Sequence, residues 1–162
     1  MMNNVVGLIA LIIFFAGCST QETGESTSEG FDEQRIEREV RQMLKDYHHD
    51  IQRDGLLAEF KYLDSTDQFF WIPPGYASSL SYDSVRKILE VNASFVRQAD
   101  FQWDTLQVVP LSEEFATYSG IVIGKITDTS GVITLSKILE SGTLIKRGDG
   151  WKLLSGQSVE LN

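Results

Sequence analysis

The hydrophobic pattern of this chain changes its period near residue 100, and this change limits the folds that the chain can adopt. From there on, apolar and polar residues alternate in four long segments, at residues 101–109, 115–126, 132–146 and 151–161. Alternation with a period of two predicts β-strands that each bury one face. Short turn sequences separate the last three segments, at residues 128–131 and 148–150. Strands joined by such turns pair in chain order, so we predict an antiparallel, meandering sheet.

The first half of the chain has the periodicity of helices instead. Apolar residues at steps of three and four predict a helix over residues 33–53. They form one stripe on its surface, made of Ile36, Val40, Met43, Leu44, Tyr47 and Ile51. Gly55 ends this helix because glycine suits the left-handed conformation of a C-cap.

Three shorter elements are predicted between this helix and the sheet. A second, short helix covers residues 56–60, and an aromatic run at 69–72 predicts a short buried strand that Pro73 stops. Ser81 has the position of an N-cap for a third helix. The fold class is therefore α+β, with a curved antiparallel sheet of four long strands plus a short strand, wrapped around three helices of the N-terminal half. Long antiparallel strands coil strongly, so the expected shape is a cone whose mouth forms a pocket.

The N-terminal residues have the pattern of an export signal. An uncharged apolar run at residues 5–15 precedes two small residues and Cys18, the single cysteine of the chain. The run is too short to cross a hydrocarbon core of about 30 Å as a helix, and such a pattern is typical of bacterial lipoprotein signal peptides. The predicted divisions are a signal peptide at 1–17, a lipidated Cys18 with a flexible tether at 18–31, and one domain at 32–162. The alternative is a truncated membrane helix or a core segment with a buried cysteine.

The amino-acid composition limits the classes of partner that the protein can bind. The formal net charge is −9 and the isoelectric point is about 4.6, which argues against nucleic acid and against adhesion to anionic lipid. We therefore predict membrane attachment through acylated Cys18, in the bacterial cell envelope. Ser19 after that cysteine favours the outer membrane over the inner one. We predict no metal and no cofactor, because the adjacent His48 and His49 diverge on a helix and cannot share an ion.

The order of these elements resembles the nuclear transport factor 2-like superfamily, which includes SnoaL-like domains, ketosteroid isomerase and scytalone dehydratase. The resemblance covers residues 33–158. It is carried by the long helix that runs into Gly55, the Trp-Ile-Pro-Pro-Gly segment at 71–75, the helix from Tyr82, and the closing Gly-Trp-Lys-Leu-Leu segment at 150–154. It implies a cone-shaped α+β barrel that often dimerises through its sheet. It implies no single function, because this fold hosts enzymes, binding modules and assembly domains.

The same resemblance indicates candidate site residues. The isomerases of the superfamily hold a general base just before the proline that ends the first strand, and Ile72 has that position here. An aliphatic side chain cannot accept a proton, which favours binding over catalysis. Tyr47 and Glu140 match the positions of the tyrosine and the protonated acid that stabilise an oxyanion, and His48 lies at the flank of the helix stripe. These three residues are the catalytic candidates.

A partly polar, aromatic pocket follows from these positions. Its predicted lining is Tyr47, Trp71, Tyr76, Tyr118, Glu140 and Gln157. The alternative for Tyr47 is a core tyrosine with its hydroxyl satisfied, and the alternative for Glu140 is a position facing solvent.

Three functions are compatible with these observations. The leading hypothesis is a lipid-anchored envelope module that binds a small apolar or aromatic ligand in the cone. The second is an enzyme of the isomerase, dehydratase or cyclase type. The third is a protein-interaction module without a ligand.

Overall fold

A computed structural model of the protein describes residues 30–161. The predicted signal peptide, Cys18 and all but the last residues of the predicted tether lie outside the described residues. The elements follow the order α1 (Glu33–Asp54), a 3-10 helix (Leu56–Lys61), β1 (Phe70–Ile72), α2 (Tyr82–Ala93), β2 (Val96–Pro110), β3 (Phe115–Asp128), β4 (Ile133–Arg147) and β5 (Gly150–Glu160). The α+β class, the helices in the N-terminal half and the four long strands are thus as predicted.

All five strands form one sheet, in the order β1-β5-β4-β3-β2. The four long strands are antiparallel neighbours, as their turns require. Strand β1 adds to the edge of β5 in parallel, with Phe70 opposite Ser155 and Ile72 opposite Gln157, so the sheet is mixed. A parallel pair needs a long crossover, and here α2 and the other three long strands separate the two strands along the chain.

Helix α1 packs its apolar stripe on the inner face of the sheet. The Asp32 side chain accepts a hydrogen bond from the Arg35 amide at 2.9 Å and caps the first turn. At the other end, Gly55 has a φ of 86° and donates its amide to the Ile51 carbonyl at 2.9 Å. The stripe forms the centre of the core with Ala116, Tyr118, Leu144 and Leu153 from the sheet.

The second predicted helix is a 3-10 helix, and the sheet fixes its C-terminal end. The Leu153 amide of β5 donates to the Tyr62 carbonyl at 2.7 Å, and the Asp64 amide donates to the Leu153 carbonyl at 2.9 Å. These bonds hold the short helix between α1 and the edge of the sheet. Side chains on its inner side are therefore held in fixed positions.

Two features allow the sheet to bend around α1. Register shifts interrupt the ladders between Trp103 and Thr105 in β2 and at Thr143 and Leu144 in β4, and such bulges increase twist. Gly120 pairs with Leu106, next to the first of them. A Cβ atom there would collide with the Thr105 carbonyl and come within 2.9 Å of the Trp103 ring, so only glycine permits this approach.

No helix within residues 30–161 combines the length and the apolar character that crossing a membrane requires.

Candidate functional site

The inner face of the sheet does not pack completely against the helices. A cavity of about 340 Å³ remains between α1, the 3-10 helix, α2 and the sheet. Most of its wall is apolar or aromatic, and includes Phe69, Trp71, Val85, Leu89, Phe101 and Ile126. Phe95 lines the cavity and is also 63% exposed, so it marks the opening to solvent. The volume lies at the lower end of the range of small-molecule sites, about 300–1,000 Å³.

Glu140 reaches this cavity from the middle of β4. Antiparallel pairing places it between Gly120 and Ser158 on the inner face. The Tyr118 hydroxyl donates to Glu140 Oε1 at 2.6 Å, and the Ser158 hydroxyl lies 3.5 Å from Oε2. The Trp71 indole in turn donates to the Ser158 hydroxyl at 3.2 Å. A chain of hydrogen bonds therefore fixes the carboxyl group from both sides.

Burial changes the acidity of this group. Removal from water raises the pKa of Glu140 to about 6, and the hydrogen bonds from Tyr118 and Ser158 act in the opposite direction. The pKa of Tyr118 lies well above its ordinary value because the phenol is buried and faces Glu140. The tyrosine thus remains a hydrogen-bond donor at neutral pH.

A second carboxyl group, Glu59, lines the same cavity from the 3-10 helix. Burial raises the pKa of Glu59 to about 7; the hydrogen bond from Tyr47 lowers it, and the charge of Glu140 raises it further. Lys61, on the same short helix, instead binds Asp50 at 2.8 Å. Within residues 30–161 neither cavity carboxylate has a salt bridge to a cation.

Sequence reasoning did not identify Glu59. The residue lies in the segment Leu-Leu-Ala-Glu-Phe at 56–60. A single acidic residue with apolar neighbours on both sides was the signal that could have identified it.

His48 separates the cavity from a groove between α1 and β2. Its ring stacks on Trp103, with a centroid distance of 4.9 Å and an interplanar angle of 19°. Burial lowers the pKa of His48 to about 4, so the ring is neutral at pH 7. Its Nδ1 is buried and has no partner among the described residues. Such an atom costs about 1–3 kcal/mol.

The structure brings the three catalytic candidates together. Tyr47, His48 and Glu140 all line the cavity, and Trp71 joins them from β1. Tyr118 lies behind Glu140, buried to 2% exposure, and contacts the site through its hydroxyl group. The alternative for Glu140 does not hold, because its side chain faces inward rather than solvent; Tyr47 lines the cavity and is also part of the core, as its alternative predicted.

Two predicted lining residues lie elsewhere. Tyr76 is on the loop after β1 and is 46% exposed. Gln157 pairs with Ile72 and Ser141 and lies with them at a shallow groove on the outer face of the sheet. Successive side chains of a β-strand point to opposite faces of the sheet, so Ser158 points inward and Gln157 points outward.

The same alternation shows that the expected place of Ile72 in the site is wrong. Its side chain lies on the outer face, and Trp71 is the residue of β1 that faces the cavity. The inward position of this strand thus holds an indole rather than the aliphatic side chain that the sequence indicated. The titratable groups of the cavity come instead from the 3-10 helix and from β4.

Comparison with known proteins identifies the fold. No family model matches the sequence, and no curated protein matches it either.

Solved structures do match. A nuclear transport factor 2-like superfamily protein from Salmonella enterica serovar Typhimurium is 10% identical, with a TM-score of 0.67 over 80% of this chain and 93% of that one. A ketosteroid isomerase-like protein from Erwinia carotovora is 18% identical, with a TM-score of 0.60 over 77% and 95%. A provisionally assigned scytalone dehydratase from Novosphingobium aromaticivorans is 15% identical, with a TM-score of 0.65 over 80% and 86%. At these identities the likeness concerns the backbone, and residues 30–161 have the cone fold of the nuclear transport factor 2-like superfamily.

Proposed function

We propose that the protein is a binding module that takes a small, largely apolar molecule into the cone cavity. One observation carries the proposal, namely a cavity of about 340 Å³ with an apolar and aromatic wall and two carboxyl groups that reach into it. Apolar walls supply affinity through the area they remove from water, and a few polar groups orient the ligand. The hydrogen-bond chain from Trp71 through Ser158 to Glu140 holds one such group in place.

Filling the cavity should abolish binding without unfolding the protein. Ile138 lines the cavity, whereas Ile123 is exposed on the outer face of the neighbouring strand. We expect Ile138→Phe to weaken binding of indole at least about tenfold, equivalent to about 1.4 kcal/mol, because the added ring occupies the site. Saturation-transfer NMR measures the affinity, with Ile123→Phe as the matched control and thermal unfolding as the check on folding. Equal indole binding by both variants would contradict the proposal.

A specific observation favours a second function, proton transfer on the bound molecule. Glu59 has a pKa of about 7 and lines the cavity together with Tyr47, and a general base works best near its operating pH. In such a step the Glu59 carboxylate removes a proton from the carbon next to a carbonyl group. The electron pair moves to the carbonyl oxygen, where the Tyr47 hydroxyl donates a hydrogen bond. Return of the proton to another carbon completes an isomerisation without a further reactant.

Hydrogen exchange tests this second function. In D₂O the wild-type protein should accelerate exchange of the methyl protons of acetophenone, and the rate should rise between pH 6 and 8 as Glu59 loses its proton. We expect Glu59→Gln to lower the catalysed rate about 100-fold or more, since a general base contributes about 10²–10⁴-fold. Proton NMR measures the rate. Glu90→Gln, which removes an exposed carboxylate from α2, serves as the control. A rate equal in wild type and Glu59→Gln leaves binding as the function.

The N-terminal sequence supports an envelope location for this module. With Cys18 acylated, the polar segment that follows would act as a tether between the lipid surface and the domain. Two or three acyl chains give stable attachment, whereas one chain gives marginal binding. Apolar compounds partition into membranes, so a cavity for such compounds near the lipid surface has a supply of ligand.

Expression of the full chain in a bacterial host tests the anchor. We expect wild-type protein in the detergent-extracted membrane fraction, with acyl chains on Cys18 detected by mass spectrometry. Cys18→Ala should appear in the soluble fraction and should lack this mass increase. Ser19→Ala provides the matched control, because it changes the neighbouring residue and keeps the thiol. Equal membrane association of Cys18→Ala and wild type would exclude the lipid anchor.

A further inference from the structure

The charged side chains that line the cavity are all acidic. Two carboxyl groups line it, from Glu59 and Glu140, and none of its lining residues is a lysine or an arginine. The imidazole of His48 is neutral at pH 7 because burial lowers its pKa to about 4. An isolated carboxylate in an apolar enclosure is unfavourable unless a cation or strong donors accompany it. Within the described residues the protein supplies donors but no cation.

The two carboxyl groups differ in how completely they are satisfied. Glu140 accepts the Tyr118 hydroxyl at 2.6 Å and has the Ser158 hydroxyl at 3.5 Å. The neighbour of Glu59 that favours its ionised form is the Tyr47 hydroxyl. A carboxylate has about four acceptor sites, so Glu59 keeps unused acceptor capacity towards the cavity.

The aromatic wall adds to the preference for a cation. The rings of Phe69, Trp71 and Phe101 line the same cavity as Glu59. The faces of such rings attract ammonium groups, by about 0.5–2 kcal/mol depending on desolvation. A carboxylate among aromatic rings is thus a site for a cation with an apolar body.

We propose that the natural ligand class of this cavity is a small primary or secondary amine, whose ammonium group pairs with Glu59 while its apolar body contacts the aromatic wall. This inference rests on the proposed binding function and specifies its ligand. Glu140 contributes negative potential, and its carboxyl group stays with Tyr118 and Ser158.

Calorimetric titration with three isosteric probes tests the inference. The probes are phenethylamine, 2-phenylethanol and phenylacetate, which share one aromatic body and differ in charge. At pH 8 we expect the amine to bind at least about tenfold more tightly than the alcohol, since a charged hydrogen bond contributes about 1.5–3 kcal/mol. Phenylacetate should not bind measurably, because its carboxylate meets two like charges.

Substitutions of single residues show which carboxyl group causes the preference for the amine. Glu59→Gln should weaken phenethylamine binding about tenfold or more and change 2-phenylethanol binding by less than about twofold. The amide has nearly the shape of the carboxyl group, and circular dichroism and thermal unfolding verify the fold. Glu90→Gln removes an exposed carboxylate outside the cavity and should leave both affinities unchanged. If Glu140→Gln removes the preference for the amine and Glu59→Gln does not, the assignment to Glu59 is overturned.

The pH dependence gives an independent measurement. The other titratable groups that line the cavity with Glu59 are Tyr47 and His48 of α1 and Glu140 of β4, Tyr118 of β3 lies behind Glu140, and the lining side chains of α2 do not titrate. An ammonium ligand favours ionised Glu59, so binding near pH 7 should release protons, and affinity should rise from pH 6 to 8. An alkylammonium group stays charged across this range. The number of protons released is obtained from the difference between the binding enthalpies measured in phosphate and in Tris buffer.

The outcomes separate this inference from the function on which it rests. Equal affinity for the amine and the alcohol overturns the amine assignment and leaves the binding function intact. Tighter binding of phenylacetate than of the amine also overturns it. If none of the three probes binds and indole also fails to bind, both the amine assignment and the binding function are wrong.

Discussion

The chemistry of the cavity depends on two half-buried carboxyl groups, Glu59 and Glu140, in a space that holds no positive side chain among the described residues. The protein places hydroxyl groups, but no cation, beside them. The pKa of Glu59 is raised from 4.5 to about 7, so its ionisation costs more free energy in the folded state than in the unfolded chain. The folded state holds the proton more tightly, so this group destabilises the fold progressively as the pH rises from about 4.5 through 7. Perturbed pKa values of this kind cluster at functional sites, which is why Glu59 is central to the functions proposed above.

Much of the fold follows from patterns that are visible in the sequence. The stripe from Ile36 to Ile51 predicts α1, and Gly55 marks its end, because helical spacing and a positive φ leave local signals. The alternating segments predict the four long strands for the same reason. The parallel placement of β1 beside β5 left no local signal, since it depends on contacts between residues far apart in the chain.

The candidate site was less predictable. In a strand, a shift of one residue moves a side chain to the opposite face, and this accounts for the errors at Gln157 and Ile72. Tyr76 was assigned to the pocket from its residue type, but the turn after Pro73 exposes it. Glu59 was missed because a segment of six residues is too short for periodicity to show which side faces inward. Glu140 was indicated by resemblance, and its burial follows from the register with Gly120 and Ser158.

A titration of the glutamate side chains by carbon-13 NMR tests the central claim most directly. The carboxyl resonance of Glu59 should titrate with an apparent pKa of about 7 and that of Glu140 with one of about 6, well above that of an exposed glutamate. Because the two sites interact, Glu140→Gln should lower the apparent pKa of Glu59. Titration of both carboxyl groups near 4.5 would show that water or a cation reaches them, and would contradict the desolvated cavity on which the proposed binding and proton-transfer functions rest.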